Sequence, residues 1–474
     1  MTKTGFVWFR DDLRLKDNPV LKAAAESGLH LIALYVLDDA AAGAWARGAA
    51  GRWWLHANLL SLKADLDRLG VPLVLRRGDA VAEVAAVAEA AGAEEAFWNR
   101  RYAAFAEGQD RAIAAALEGR GVAVRAFDGA VMRPPGAVER RTGGHYRMFT
   151  PYLKAWRALG APDAPLPAPA SLKGWQGRIR SDAPEDWKLA PSAPDWAGGM
   201  RAAWPPGEAA AAERLERFVE EGLDAYGTAR NRPAQDGTSR LSPYLHLGVI
   251  GPRHVWHAAG ARGDGAWPFL TELVWRDFSH HTLHHFPDLP DRPMREAFEA
   301  YPWRHDPAAL RAWQRGRTGY PIVDAGMRQL WATGWMHNRV RMITASFLVK
   351  DLGLDWREGE RWFWDCLVDA DLANNAINWQ WVAGTGIDAS PFFRVFNPTT
   401  QGRKFDPKGD YVRRWVPELA RLGPAQIHAP WEAPEEALAA AGVRLGHDYP
   451  RPIVDHGRAR DRALADLRGL RRGG

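Results

Sequence analysis

The first 130 residues alternate between short apolar runs and helix-like segments, and this alternation constrains the fold more than any other feature. The apolar runs have the length of strands: GFVWF, LIALYVL, VPLVLRRGD, EEAFWN and VAVRAFD. Strands that alternate with helices in this way predict a parallel sheet with helices on both faces. No GxGxxG or GxxxxGKS/T sequence follows any of these runs, so nucleotide sites of those two kinds are unsupported. A ligand could still bind at the carboxyl ends of the strands.

The sequence changes class after this region. Residues 161–199 contain seven prolines among scattered Gly, Ser and Asp, which predicts a long irregular connection. From about Glu208 onward, helical periodicity dominates and convincing strands disappear. We therefore expect an α/β domain over residues 1–130, an interdomain linker over 131–205 and an all-α domain over 206–474.

Composition bounds the location and the partners of the protein. The single cysteine, Cys366, rules out an internal disulfide and points to a reducing compartment. The N-terminus lacks the apolar core of a signal peptide, and no apolar run is long enough to span a membrane. We therefore expect a cytoplasmic protein without membrane association. The formal charge of +5 is compatible with nucleic-acid binding without being diagnostic of it.

Tryptophan is concentrated in the second half of the chain. Eleven of the 24 tryptophans lie between Trp267 and Trp381. Most are explained as large core side chains, but such a concentration also suits stacking on flat ligands or electron transfer among indoles.

The stretch DADLANNAINWQW, Asp369 to Trp381, combines polar and aromatic residues within an otherwise apolar helical region. If it is helical, Asp371, Asn375, Asn378 and Trp379 share one face. Burying such a face requires a partner for each polar group, which would indicate a ligand. The alternative is a helix terminus at which Asp and Asn act as caps.

Two further segments carry groups of chemical interest. Thr238, Ser239 and Arg240 in GTSRLS, just before a predicted helix, would suit a phosphate or pyrophosphate, and a plain helix cap is the alternative. In ELVWRDF, Glu272 and Arg276 are spaced as a helical ion pair, which leaves the neighbouring Trp275 unexplained.

Metal and hydrolytic chemistry are not indicated. SHHTLHHF places histidines at metal-ligand spacing, but no HExxH pattern and no nearby cysteine supports a metal, so we predict none. No Ser-His-Asp or Cys-His arrangement stands out.

In WMHNRVRM, Arg339 and Arg341 are two positions apart on a helix, so one would face the interior and the other solvent or a polyanion.

Taken together, these segments resemble the DNA photolyase/cryptochrome family. The resemblance covers nearly the whole chain and rests on eight segments in order: VWFRDDLRL, GTSRLS, ELVWRDF, TGYPIVDAGMRQL, WMHNRVRMITASFLVKDL, DWREGER, DADLANNAINWQW and FFRVFNPTTQG. In length and spacing the chain looks like a class I cyclobutane pyrimidine dimer photolyase. The resemblance implies light-driven dimer repair by reduced FAD, an α/β antenna domain and a helical FAD domain. It also implies damaged double-stranded DNA as the partner, and we expect a monomer.

The resemblance also implies roles for individual residues. The FAD-binding set is Tyr226, Thr238, Ser239, Arg240, Leu241, Ser242, Arg341, Asp369, Ala370, Asp371 and Asn375. Within it, Asn375 would face the flavin N5 and Arg341 would pair with Asp369. The electron-transfer triad would be Trp379, Trp356 and Trp303.

The substrate side follows in the same way. Glu272 and Asn338 would hydrogen-bond the damaged bases, Trp275 and Trp381 would enclose the flipped dimer, and Met342 would pack against it. The DNA around the pocket would be held by arginines and a glutamine: Arg230, Arg276, Arg339, Arg394 and Gln401.

One position departs from a pattern known in the family. The folate-antenna branch carries an Asn-Glu pair after the strand that corresponds to AFWN, where this chain has Phe105 and Ala106. We therefore expect 8-hydroxy-5-deazaflavin rather than methenyltetrahydrofolate as the antenna chromophore, with an empty or flavin-filled site also open.

Three other functions remain open from sequence. A signalling cryptochrome shares the fold and FAD, but the chain has no long tail beyond the helical domain. Repair of the six-four photoproduct calls for histidines at the catalytic face, where this chain has Asn338 and Met342. A flavin-free helical DNA-binding protein would leave the polar face of Asp369 to Trp381 unexplained.

Overall fold

The computed structural model describes residues 3–140, 142–388 and 393–473. Contacts divide the chain into two compact units. The first unit comprises Met1–Asp224, Ser239–Pro287 and Val368–Asn374. The second unit comprises Ala225–Thr238, Asp288–Leu367 and Asn375–Gly474.

The first unit contains a five-stranded parallel sheet in the order β3-β2-β1-β4-β5. The five apolar runs form its strands, as predicted: β1 (Thr4–Phe9), β2 (His30–Leu37), β3 (Leu73–Arg77), β4 (Ala93–Asn99) and β5 (Ala123–Phe127). Every residue of β1 is buried. A central strand of a parallel sheet is covered on both faces, which favours apolar side chains on both faces.

Helices account for most of the remaining regular structure. In chain order they are α1 (Pro19–Ser27), α2 (Asp39–Ala42), α3 (Ala49–Arg68), α4 (Ala80–Ala91), α5 (Ala104–Glu118), α6 (Phe149–Ala158), α7 (Gly198–Ala203), α8 (Glu208–Arg217), α9 (Tyr226–Ala229), α10 (Ser242–His246), α11 (Pro252–Gly260), α12 (Trp267–His285), α13 (Pro307–Gln314), α14 (Pro321–Thr333), α15 (Asn338–Ser346), α16 (Trp356–Cys366), α17 (Leu372–Ala383), α18 (Pro398–Phe405), α19 (Asp410–Trp415), α20 (Glu435–Ala441) and α21 (His456–Gly473). Phe218–Gly222 and Phe347–Leu352 continue α8 and α15 as π-helical turns.

Local sequence explains where several helices begin. Asn18 accepts a hydrogen bond from the Val20 backbone N–H at the start of α1, and Asp79 caps α4 in the same way. Alternation and capping together confirm the predicted α/β class of the N-terminal region and the helical class of the C-terminal region.

The helical prediction for Asp369 to Trp381 was wrong at its first residues. Leu367 to Asp371 separate α16 from α17, and Asp371 lies just before the first residue of α17. Its carboxylate accepts a hydrogen bond from the Asn374 backbone N–H at 2.8 Å, which is an N-cap interaction. Asp371 is therefore the cap of α17 and not one of its helical residues. The cap alternative holds for Asp371.

The segment predicted as a linker contains two α-helices, α7 and the longer α6. Its buried residues Phe149, Tyr152 and Trp156 recur at helical spacing, a signal that the proline-rich composition downstream obscured. Among the described residues, no helix is long and apolar enough to cross a bilayer.

Candidate active site

Two predicted FAD-binding segments meet within the first unit. The Ser242 hydroxyl donates a 2.6 Å hydrogen bond to the Asp369 carboxylate, so the GTSRLS segment contacts the segment between α16 and α17. Asp369 is 8% exposed, and Ala370 beside it is also buried. The structure therefore brings together residues that are more than 120 positions apart in the sequence.

Asp371 lies among basic side chains of the same unit. His280 Nε2 lies 3.4 Å and His246 Nδ1 lies 3.9 Å from its Oδ2. Burial would raise the pKa of Asp371, but His280, His246 and Arg276 together lower it well below its ordinary value. Asp371 is therefore a fixed negative charge in a largely enclosed setting.

The backbone of the GTSRLS segment is unusual at Arg240. Arg240 has φ of 49°, in the left-handed region that residues other than glycine rarely adopt. The Ser239 carbonyl just before it accepts a hydrogen bond from Arg214 Nε at 2.9 Å. The helix that follows, α10, has only five residues, so phosphate binding here would depend on the hydroxyls and the guanidinium rather than on a helix dipole.

Helix α12 carries three predicted substrate residues. Trp275 stacks on Phe149 with a centroid separation of 3.5 Å and an angle of 10°, so one face of the indole is already covered. Arg276 donates to the Ala130 carbonyl at 2.6 Å and to the Leu245 carbonyl at 3.4 Å, which anchors it within the first unit. Glu272 on the same helix is half-buried.

In the second unit, Asn375 is held in one orientation. Its side-chain Nδ2 donates to the backbone carbonyl of Glu360 in α16 at 3.1 Å. Because the N–H side of the amide is bound in this way, Oδ1 remains to accept a hydrogen bond from another group.

The predicted triad residues lie on neighbouring elements of the second unit. Trp379 packs edge-on against Phe363 of α16 at 5.0 Å, and Trp356 is the first residue of that helix. Arg304 pairs with Leu354 in an isolated parallel bridge, which brings the residue next to Trp303 near the start of α16 in space. Trp356 is fully buried, Trp379 is 3% exposed, and Trp303 is half-buried, so exposure to solvent is greatest at Trp303.

The predicted base and DNA contacts at the start of α15 also belong to the second unit. Asn338 is exposed, and Met342 lies one turn further along the helix. Arg339 donates to Asn231 Oδ1 at 2.6 Å and lies over the Phe405 ring at 4.5 Å. The guanidinium is thus held in place by residues of its own unit. Arg230 lies over the ring of Tyr226 at 5.1 Å.

Trp381 and Arg394 line one cleft of the second unit together with Lys350, Val382, Gly384, Phe393 and Phe396. Lys350 is buried, and its ammonium donates to the Ala383 carbonyl at 3.0 Å, at the end of α17. Burial lowers the pKa of Lys350 well below its ordinary value. Gln401 lies on α18, the next helix after this segment.

The predicted pair of Arg341 and Asp369 is divided between the two units. Arg341 donates from Nε to the Met336 carbonyl at 2.7 Å, and it belongs to the second unit with Tyr226 and Thr238. Asp369 belongs to the first unit. The pairing of Arg341 with Asp369 therefore stays a prediction.

Several residues of the site carried no sequence signal. His246 and His280 lie beside Asp371 from distant positions, Arg47 contacts His246, and Phe149 backs Trp275. Glu360 is fully buried, and neither of its carboxyl oxygens has a hydrogen-bond partner among the described residues. Burial raises the pKa of Glu360 well above its ordinary value. Only the unusual run of four histidines in SHHTLHHF pointed toward His280.

Two other histidines of that run, His281 and His285, pack against each other and against His145. His145 and His285 stack at 4.4 Å, and burial lowers the pKa of His285 to about 4 and that of His281 to about 3. These rings are therefore neutral aromatic packing groups at physiological pH. Within the described ranges, no group of three or more His, Cys, Asp or Glu side chains is arranged to hold a metal ion.

The donor set fits FAD. Hydroxyls and a guanidinium in the GTSRLS segment suit phosphates, and the two carboxylates Asp369 and Asp371 suit ribityl hydroxyls or a ring N–H. In the second unit, Asn375 offers an oriented amide oxygen.

Comparison with known proteins adds two family matches. Residues 6–170 match the model described as DNA photolyase, and residues 269–469 match the FAD-binding domain of DNA photolyase. A deoxyribodipyrimidine photo-lyase of Agrobacterium fabrum is 48% identical over 97% of this chain and 96% of that protein. Cryptochrome-1 of Arabidopsis thaliana is 38% identical over 96% of this chain and 69% of that protein.

Among solved structures, a bacterial class III photolyase from Agrobacterium tumefaciens matches with a TM-score of 0.96 and 47% identity. The match covers 100% of this chain and 98% of that one.

Proposed function

Because the chain belongs to the DNA photolyase/cryptochrome family and is an enzyme of the photo-lyase type, we propose that it splits cyclobutane pyrimidine dimers in double-stranded DNA with absorbed light. Bound FAD, when fully reduced, supplies the photoexcited electron that opens the cyclobutane ring and takes it back, so that no net oxidation occurs. Enzymes that act on a base, photolyases among them, take it out of the stack, so the substrate is a flipped dimer.

The observation that carries this proposal is the fixed orientation of Asn375. Its Nδ2 is bound to the Glu360 carbonyl, so Oδ1 is presented as an acceptor. An amide oxygen suits the N5–H of a reduced flavin without placing a second full charge beside it. Asn375 Oδ1 would thus accept a hydrogen bond from the N5–H of the cofactor, which favours the reduced form that the reaction uses.

Two carboxylates and a set of hydroxyls would hold the rest of the cofactor. Asp369 is oriented by the Ser242 hydroxyl, and Asp371 is kept ionised by its basic neighbours. Ser239 and Arg240 would bind the phosphates.

Aromatic and polar side chains would receive the dimer. Trp275, backed by Phe149, offers one free indole face for stacking on a base. Glu272 on the same helix would hydrogen-bond the bases and steady the charge that develops on the dimer. In the second unit Asn338 and Trp381 would contact the dimer, while Arg230, Arg339 and Arg394 would position the DNA backbone without reading sequence.

A repair assay with defined lesions tests the proposal. The reduced protein is illuminated with a duplex that contains one thymine cyclobutane dimer, and dimers are counted by chromatography of the digested DNA. We expect light-dependent loss of dimers, no loss in the dark and no loss of a six-four photoproduct in a matched duplex. A protein that retains FAD but leaves the cyclobutane dimer intact under these conditions overturns the proposal.

The alternative function is that of a blue-light cryptochrome, supported by the 38% identity with the Arabidopsis protein. The assay separates the two, because a signalling protein would photoreduce its flavin and repair nothing.

For the antenna we propose 8-hydroxy-5-deazaflavin rather than methenyltetrahydrofolate. Phe105 lies at the start of α5 beside Arg101, and the next residue, Ala106, is buried, so neither side chain offers the amide and carboxylate of the folate branch. Mass spectrometry of chromophores released from purified protein checks this, and a folate in the extract overturns it.

Three finer assignments belong with this proposal. Class I stays a prediction from sequence, and the structure at 47% identity is named a class III photolyase, which makes class III the alternative. A monomer and a cytoplasmic location are also proposed, and light scattering and cell fractionation check them.

A further inference from the structure

Arg47 joins two residues that are distant from it in sequence. It lies in the loop just before α3, and one guanidinium nitrogen donates to the Asp11 carboxylate after β1. The other, Nη1, lies 3.2 Å from His246 Nε2, across 199 positions of sequence. The Arg47 side chain is 17% exposed and that of His246 is 9% exposed, so both contacts are largely shielded from water. All three residues belong to the first unit.

The chemistry of this contact fixes the proton on His246. A guanidinium stays protonated in proteins and has only N–H donors, so His246 Nε2 must accept the hydrogen bond and must carry a lone pair. A neutral imidazole whose Nε2 is an acceptor carries its proton on Nδ1. His246 Nδ1 is the ring nitrogen that lies 3.9 Å from Asp371 Oδ2.

Titratable and charged groups from several elements surround this pair, including Tyr35 beside Arg47 and Arg101 beside Asp11. Asp371 faces His246, His280 and Arg276. His246 faces Arg47 on one side and Asp371 on the other, with Asp11 beyond Arg47. The ring nitrogen of His246 that carries the proton therefore decides whether an N–H or a lone pair faces Asp371.

We propose that Arg47 is a positioning residue of the cofactor site, which holds His246 as the neutral Nδ1–H tautomer so that it presents an N–H and not a second positive charge to Asp371. The consequence for FAD rests on the proposed function, in which Asp371 binds that cofactor. Without Arg47, Nε2 loses its donor and the proton of His246 is no longer confined to Nδ1. The N–H that faces Asp371 is then lost in part, so the negative charge of that carboxylate makes the reduction of a bound flavin harder.

The first test is the tautomer itself. Long-range proton–nitrogen NMR correlations of histidine-labelled holoprotein, assigned by their loss in His246→Asn, report which ring nitrogen of His246 is protonated. We expect a protonated Nδ1 and an unprotonated Nε2 in the wild-type protein. In Arg47→Met we expect the tautomer with the proton on Nε2 to become populated. A wild-type spectrum with the proton on Nε2 overturns the proposal, and that spectrum decides the matter even if Arg47→Met does not fold.

The second readout is the midpoint potential of bound FAD. We expect Arg47→Met to shift it to more negative values, because Asp371 loses part of the N–H that faces it. Asp11→Asn removes the acidic partner of Arg47 but keeps its bond to His246, so the tautomer should remain that of the wild type. Arg77→Met removes an exposed arginine at the end of β3 and should change neither readout. An Arg47→Met protein with the wild-type tautomer and potential at every pH overturns the proposal.

Failure of the proposed function gives a different result. A wild-type protein that shows the expected His246 tautomer but repairs no dimers would leave the role of Arg47 toward His246 intact. A protein that repairs dimers with the opposite tautomer would remove only the inference about Arg47.

Discussion

Asn375 donates a 3.1 Å hydrogen bond from its side chain to the backbone carbonyl of Glu360, 15 residues earlier in the chain. This bond ties α17 to α16 and orients the amide that we assign to the flavin N5. Gly359, the residue before Glu360, lies directly against Trp379, which we assign to the electron-transfer triad. Two consecutive residues of α16, Gly359 and Glu360, therefore contact Trp379 and Asn375.

Replacing Glu360 by Gln should change how stability depends on pH. Burial raises the pKa of the Glu360 carboxyl, so the folded protein keeps a proton that the unfolded chain releases above its own pKa of about 4.3. Stability is therefore lost as pH rises from that value through the folded pKa, by up to about 1.4 kcal/mol per pH unit. Glu360→Gln removes this loss, so urea unfolding should show the variant gaining on the wild type between pH 5 and pH 8. Glu358→Gln, exposed on the same helix, should show no such trend. Parallel curves for Glu360→Gln and the wild type would contradict the buried neutral carboxyl.

Replacing Gly359 by Ala should displace Trp379. The added Cβ would lie 2.1 Å from Trp379 Cη2 and 2.5 Å from Leu348 Cδ2, closer than atoms can pack. We expect a loss of about 1–3 kcal/mol in the free energy of unfolding, measured with urea, and slower photoreduction of the flavin. Gly260→Ala, where a Cβ would meet nothing within 4 Å, should be neutral or slightly stabilising. Equal effects of the two substitutions would argue against tight packing at Gly359.

Replacing Trp379 by Phe should separate photoreduction from repair. Phenylalanine keeps most of the contact with Phe363 but is much harder to oxidise than indole. We expect flavin photoreduction, followed by absorbance, to fall at least about tenfold, which corresponds to about 1.4 kcal/mol in barrier. Chemically reduced enzyme should repair dimers at close to the wild-type rate. Trp256→Phe, a change in the aromatic cluster with Trp156 and Trp267, should affect neither. Normal photoreduction in Trp379→Phe would remove Trp379 from the triad.

Replacing Glu272 by Ala should lower the yield of repair and leave FAD bound. The carboxylate is assigned to the damaged bases, and a lost charged hydrogen bond in a transition state typically costs about 1.5–3 kcal/mol. We therefore expect repair per absorbed photon to fall at least about tenfold, as measured on dimer-containing duplex with reduced enzyme. Glu220→Ala, an exposed acid elsewhere on the surface, serves as the control. Wild-type yield in Glu272→Ala would exclude Glu272 from the substrate side.

The sequence by itself determined the class of both halves of the chain. Apolar runs of strand length predicted β1 to β5, because strands buried on both faces must be apolar throughout. Helical periodicity likewise predicted helices such as α12 and α14, since one face of each must pack against a core. The motif order also identified the family, and it predicted the FAD-binding segments.

Only the tertiary structure decided the contacts on which the site depends. The chain breaks between α16 and α17, and Asp371 caps α17 by accepting a hydrogen bond from the Asn374 N–H. Local propensity does not distinguish this break from one continuous helix. The contact between Arg47 and His246 spans 199 positions, and neither residue lies in a distinctive motif. The strand order β3-β2-β1-β4-β5 and the burial of Glu360 are also outcomes of long-range packing. Hydrophobic periodicity records which side of an element is buried, but not which distant element covers it, and the chemistry of this site depends on those distant neighbours.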